Sequence, residues 1–148
     1  MNNSVIAAVI LNDTTLAVWF DNGVSKNYSP QDLDEKATSL PSNIVVAGDG
    51  AGIAWEKGGS MSADDLFAKG TESDYVEQEK RNLLKNLSAI RRDASFSQTR
   101  LGEAAGIRQS VISRIEGCEI SPQINTLLKL LAPLGKTLAI VDLGEGKN

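Results

Sequence analysis

Residues 96–117 read FSQTRLGEAAGIRQSVISRIEG, and this stretch decides how the C-terminal half of the chain folds. Ser97 stands just before an apolar pattern, where its hydroxyl can accept from one of the first free backbone N–H groups of a helix. Leu101, Ala104 and Ala105 follow at helical spacing and predict an inner face. Gly106 interrupts that helix. A second helix is expected from Gln109 to Glu116, burying Ile112 and Ile115 and stopping at Gly117, a residue favoured just past a helix end. Two short helices joined across a glycine, the second starting three residues later, form a helix-turn-helix arrangement.

The pattern extends in both directions. Upstream, Leu83, Leu84, Leu87 and Ile90 predict a helix from about Tyr75 to Asp93. Downstream, Ser121-Pro122 offers a cap followed by a proline at the first helical position, opening a further helix with Ile124, Leu127, Leu128 and Leu131 inward. Pro133 and Gly135 close it, and residues 137–141, TLAIV, read as a final strand. Lys69-Gly70-Thr71-Glu72-Ser73-Asp74 is polar throughout and is read as linker. Ahead of it lie β-rich runs at 5–11 and 14–20, then Asp21-Asn22-Gly23 as a tight hairpin into a strand at 24–28. Pro30 ends that strand, and a short helix is expected near 31–36. Residues 44–46 and 53–55 flank Gly48-Asp49-Gly50-Ala51-Gly52, a turn or bulge between two strands. Ser62 caps another short helix, with Asp65 in its first turn. The fold class is therefore an α+β N-terminal domain over residues 1–70, a small antiparallel sheet with short helices. A linker at 71–77 leads into an all-α helix-turn-helix bundle with a C-terminal strand over 78–148.

Charge divides the chain in the same place. Residues 1–76 hold four lysines against eleven carboxylates, a balance of −7, while the rest holds eleven bases and eight acids, a balance of +3. Only the C-terminal half has the bias that a polyphosphate partner favours. Histidine is absent, which removes the commonest general base and metal ligand, so no catalytic residue, cofactor or metal is expected. The lone cysteine, Cys118, has no internal disulfide partner, and no apolar run is long enough to span a membrane, so a cytoplasmic protein is expected.

The stretch 96–117 strongly resembles the phage-repressor-like Cro/C1 (XRE) family through its Gln-x-x-Leu-x-x-x-x-Gly-Ile-x-x-x-x-Ile-Ser-x-x-Glu-Gly pattern, and the resemblance covers roughly residues 82–141. The last helix and strand look most like those of the HipB and HigA antitoxin branch, where such elements help build a dimer. The resemblance implies a sequence-specific regulator, a dimeric (auto)repressor on a palindromic operator in double-stranded DNA. A recognition helix fits the major groove with its N-terminal side chains at base edges. This places Arg108, Gln109 and Ser110, and one turn on Ser113 and Arg114, against bases. Gln98 in the preceding helix, with Thr99 and Arg92, is assigned to phosphates. Arg91 matches a family arginine that pairs with the glutamate here at Glu116, a structural role. Arg108 stands where many relatives carry a Ser or Thr cap, and Cys118-Glu119-Ile120-Ser121 offers no base to hold the DNA backbone.

Residues 9–69 resemble the small domain known as DUF2442, through Leu16-Ala17-Val18-Trp19-Phe20-Asp21-Asn22-Gly23, Gly52-Ile53-Ala54-Trp55 and Ser62-Ala63-Asp64-Asp65-Leu66. That resemblance implies a small α+β domain without established chemistry. Its surplus of acid suits a basic protein partner, so an antitoxin or interaction protein is the alternative role, with a toxin or other protein bound through residues 1–70. Trp19 and Trp55 are read as core, and the glycine-rich 48–52 turn lacks the Gly-Lys-Ser/Thr ending of a phosphate loop.

Overall fold

The computed structural model describes residues 2–143, which fall into two compact units, 2–73 together with 141–143, and 74–140. In the first, β1 (Val5–Asn12), β2 (Thr15–Phe20) and β3 (Ser25–Tyr28) form an antiparallel meander. Gly23, at φ +82°, supplies the left-handed residue that the β2–β3 turn requires. Ser29 and Asp32 bond reciprocally across the first turn of α1 (Pro30–Leu33), with proline in the first turn. β4 (Val45–Val46), β5 (Gly52–Trp55) and β6 (Gly59–Ser62) make a second, three-stranded antiparallel sheet. Ser62 then caps α2 (Ala63–Lys69), its hydroxyl accepting from the Asp65 N–H at 3.2 Å.

The segment read as linker begins as structure. Thr71–Glu72 forms β7, paired with Lys26 and Asn27 of β3 to complete a four-stranded sheet in the order β1-β2-β3-β7. A ladder is built from backbone groups, so a polar dipeptide with no apolar signature can still pair. β6 escaped the sequence reading for the same reason, since Gly59–Ser62 has little β-forming character.

The core of this unit joins Leu16, Val18 and Phe20 of β2 to Val5, Tyr28, Leu33, Ile53, Ala63 and Leu66. The fully buried aromatics are Phe20 and Tyr28, not the tryptophans. Trp19 alternates onto the opposite face of β2, and Trp55 is half-buried against the core margin. Tyr28 donates its hydroxyl to the Leu66 carbonyl. Burial, with Asp32 adding to it, pushes the phenol well above its ordinary pKa.

The second unit opens with α3 (Tyr75–Asp93), followed by α4 (Gln98–Ala105), α5 (Gln109–Glu116) and α6 (Ile124–Leu131), the last continuing into a single 3-10 turn at Ala132–Leu134. Leu84, Leu87, Leu101, Ile112, Ile115, Leu127, Leu130 and Leu131 form its core. None of the helices among the described residues is long and apolar enough to cross a membrane.

Three expectations here are corrected. α6 begins after Gln123, not at Ser121-Pro122, because the Ser121 hydroxyl accepts from Lys80 Nζ at 3.1 Å and is not a cap. The inward face of α6 is Leu127, Leu130 and Leu131, while Ile124 is 67% and Leu128 39% exposed. The apolar face of this helix, Ile124, Leu127, Leu128, Leu130 and Leu131, is wider than the stripe the core covers, so spacing alone could not choose which part of it turns inward. Residues 137–141 form no strand, since among the described residues no strand pairs with them to make a ladder. The remainder of the expected C-terminal domain, 144–148, lies outside the described residues.

Candidate nucleic-acid interface

Ser97 caps α4 as its sequence implies, accepting from the Arg100 N–H at 3.0 Å. Gly106 ends the helix in the left-handed conformation at φ +70°, and its N–H and that of Ile107 both return to the Gly102 carbonyl. Ala104, expected inward, is exposed, and Gly102 takes the buried place instead. A Cβ on Gly102 would lie 2.4 Å from the Ile107 carbonyl oxygen. The absent side chain is therefore what lets the turn fold back over α4.

The turn fixes α5. Ile112 and Ile115 are fully buried, which leaves Arg108, Gln109, Ser110, Ser113 and Arg114 exposed, the five residues assigned to base edges. Arg108 occupies the N-cap position of α5 without making a side-chain cap bond. Arg114 lies 3.6 Å from Glu119, with both side chains more than half exposed. Such a pair contributes little in water and can open to a phosphate or a base. At the other end of α5 the left-handed residue is Cys118, at φ +59°, rather than Gly117.

Beneath this surface runs a chain of hydrogen bonds that spacing did not reveal. Arg91 grips Glu116 bidentately, Nε to Oε1 at 2.6 Å and Nη2 to Oε2 at 3.1 Å, and its Nη1 donates to the Phe96 carbonyl at 2.7 Å. Both side chains are nearly buried, at 9% and 6% exposure. Burial works to raise the Glu116 pKa, but the bonds from Arg91 and Gln98 and the charges of Arg91 and Arg92 outweigh it, holding the carboxyl below its ordinary value. Gln98 Nε2 donates to Glu116 Oε2 at 2.7 Å, which leaves Gln98 Oε1 to accept from Gln109 Nε2 at 2.8 Å. A buried ion pair thus orients one amide, and that amide orients the first residue of α5. Of the residues assigned to phosphate, Gln98 is half-buried in this chain, while Thr99 and Arg92 are exposed. Arg100 stacks 4.6 Å above the Phe96 ring and covers the start of α4.

Comparison with known proteins places a family match on this segment. Residues 87–141 match a helix-turn-helix family, HTH_3. A 61-residue stretch, 41% of the chain, is 51% identical to an uncharacterized HTH-type transcriptional regulator of Haemophilus influenzae and spans 62% of that protein. A 55-residue stretch, 37% of the chain, is 46% identical to the HTH-type transcriptional regulator PuuR of Escherichia coli and spans 30% of it. Among solved structures, a chain of a toxin-antitoxin module from Streptococcus pneumoniae is 38% identical, with 56% of this chain and 93% of that one covered and a TM-score of 0.43. Cap, glycine turn, buried isoleucines and family match agree: residues 87–141 are a helix-turn-helix domain.

Proposed function

We propose that the protein is a dimeric DNA-binding repressor acting on a two-fold symmetric operator, its own promoter included. The observation that carries this reading is the surface of α5. Its apolar residues are spent on the core, and its outward residues are two arginines, a glutamine and two serines at and one turn beyond the N-terminus. Arginine suits guanine and glutamine suits adenine, each such pairing worth roughly 1–3 kcal/mol of discrimination. In this reading Arg108, Gln109, Ser110, Ser113 and Arg114 face bases, and Gln98, Thr99 and Arg92 face phosphates.

Dimerisation is supported by what the second unit leaves uncovered. Ile124 and Leu128 lie one turn apart on the exposed side of α6, and Ile140 is 104% exposed. Apolar surface of this kind on a small unit is suited to a second copy. Footprinting on DNA upstream of the gene, at two salt concentrations, tests the proposal. It requires a protected two-fold site, half-sites about 34–36 Å apart, and affinity falling steeply with salt. A footprint without symmetry, or a monomer on DNA, would refute the dimeric reading.

A second role attaches to the acidic first half, whose −7 balance over residues 1–76 suits a basic protein partner such as a toxin, in line with the resemblance of residues 9–69 to DUF2442.

A further inference from the structure

The first unit contains a groove of about 730 Å³ between the loop after α1 and the tip joining β5 to β6. Its lining includes Trp55, Pro30, Leu40 and Pro41 as apolar surface, with Asp34 and Glu56 as carboxylates. Trp55 is held as a fixed wall. It pairs across the hairpin with Gly59, where a Cβ would stand 1.8 Å from the indole Nε1, so the ring lies over bare backbone. The rim is pinned too: the Glu56 N–H donates to the Ser42 carbonyl at 3.2 Å, and Asn43 Nδ2 donates to the Glu56 carboxylate. The groove is therefore formed before anything enters it.

Neither carboxylate has an ion-pair partner among the described residues. Asp34 accepts from the Lys36 backbone N–H, which occupies one oxygen in a turn and leaves its charge uncompensated. Lys57, also at the groove, is exposed at φ +65° on the hairpin tip. Together Asp34, Glu56 and Lys57 leave the lining one negative charge in excess, within a unit that is strongly acidic.

We propose that this groove docks an extended peptide segment of a basic partner protein, with an arginine guanidinium over Trp55 and facing Asp34 and Glu56. Two physical effects act together there. An aromatic face attracts a guanidinium, and proline and leucine surfaces beside it take the apolar residues of an extended strand. The inference rests on reading the acidic half as partner-binding and is independent of DNA recognition by α5.

The test uses the full chain, labelled with nitrogen-15 and titrated with a capped pentapeptide alternating arginine and leucine. The chain has two tryptophans, so two indole N–H signals are followed, that of Trp55 identified by its loss in Trp55→Phe. Saturable movement of the Trp55 signal, with Trp19 unmoved, is expected. Asp34→Asn with Glu56→Gln, which keeps both turn acceptors, weakens binding about tenfold, whereas Lys57→Ala tightens it. A double variant within twofold of the parent, no saturable Trp55 shift, or N-acetylarginine amide binding as tightly as the peptide would overturn the proposal. Operator binding by the same samples is read separately, so failure here leaves the recognition-helix reading standing, and the reverse.

Discussion

Removing the Gln98 side chain separates what the hydrogen-bond chain does for stability from what it does for recognition. Gln98→Ala deletes the 2.7 Å bond to Glu116 and the 2.8 Å bond from Gln109. The first involves a charged acceptor at a nearly buried site, and such bonds contribute about 1.5–3 kcal/mol. Glu116 keeps its bidentate hold on Arg91, so the loss sits at the low end of that range. The second bond is exposed and adds no more than about 0.5 kcal/mol. The expected cost is therefore about 1.5–2 kcal/mol, which in a unit of this size lowers Tm by roughly 6–16 °C. Gln109→Ala removes only the exposed bond and should leave Tm nearly unchanged, yet lose about 1–3 kcal/mol of discrimination at one base position. Calorimetric melting and competition binding on single-base operator variants, run on both proteins and the double variant, resolve the two effects. Coupling between the two positions is expected in DNA affinity, and in stability it should not exceed the contribution of the shared exposed bond, about 0.5 kcal/mol. If Gln98→Ala melts with the parent, the relay from Glu116 is not holding the amide. If Gln109→Ala leaves the base preference intact, α5 is not reading DNA through its first residue.

Three other outcomes follow from the same unit. Gly102→Ala, a substitution that usually stabilises a helix, should destabilise by roughly 2 kcal/mol, because the new methyl meets a backbone carbonyl at 2.4 Å; a thermal melt showing a gain would contradict that packing. Glu116 is the pH-sensitive group: its folded pKa lies below the ordinary 4.5, so its contribution is complete above that value and is lost as pH falls through the folded pKa. Denaturant unfolding from pH 7 to pH 3 should show that loss in the parent and a flatter profile in Glu116→Gln, and identical slopes would refute it. Cys118→Gly relieves a left-handed residue at φ +59° and should raise Tm by a few degrees, on a gain of about 1 kcal/mol or less; a fall would show that the thiol's packing outweighs the strain.

The parts of this molecule legible in the sequence were those decided within one or two turns of chain. Ser97 caps α4 because a hydroxyl at that position reaches its own helix. Gly106 ends it because only a small residue tolerates φ +70° cheaply, and α3 spans the expected Tyr75–Asp93. The unread parts depend on what lies opposite in space. β6 and β7 are short and polar, and only their partners make them strands. Ser121 has the chemistry of a cap, but Lys80 on α3 claims its hydroxyl. The match to a family arginine supplied the Arg91–Glu116 pair, whereas the Gln98–Gln109 bond depends on the relative placement of α4 and α5, which spacing within each helix does not encode.

The two misreadings at the C-terminal end have one physical origin. Sequence periodicity asked α6 to bury Ile124 and Leu128, and residues 137–141 to form a strand. In the single chain the core is filled by Leu127, Leu130 and Leu131, and the strand has no ladder. Both surpluses lie C-terminal to the recognition helix, and both are apolar. Exposing large aliphatic side chains forgoes roughly 1.5–3 kcal/mol for each one that could be buried, and an unpaired β-forming segment leaves its backbone groups to water. A second copy of the chain would satisfy both needs at once, burying the outer stripe of α6 and supplying the missing neighbour strand. A two-fold operator would in turn require the two copies of α5 to lie on one side of such a pair. If the proposed dimer forms, the apolar pattern of α6 and residues 137–141 describes a surface shared between two copies rather than the inside of one chain.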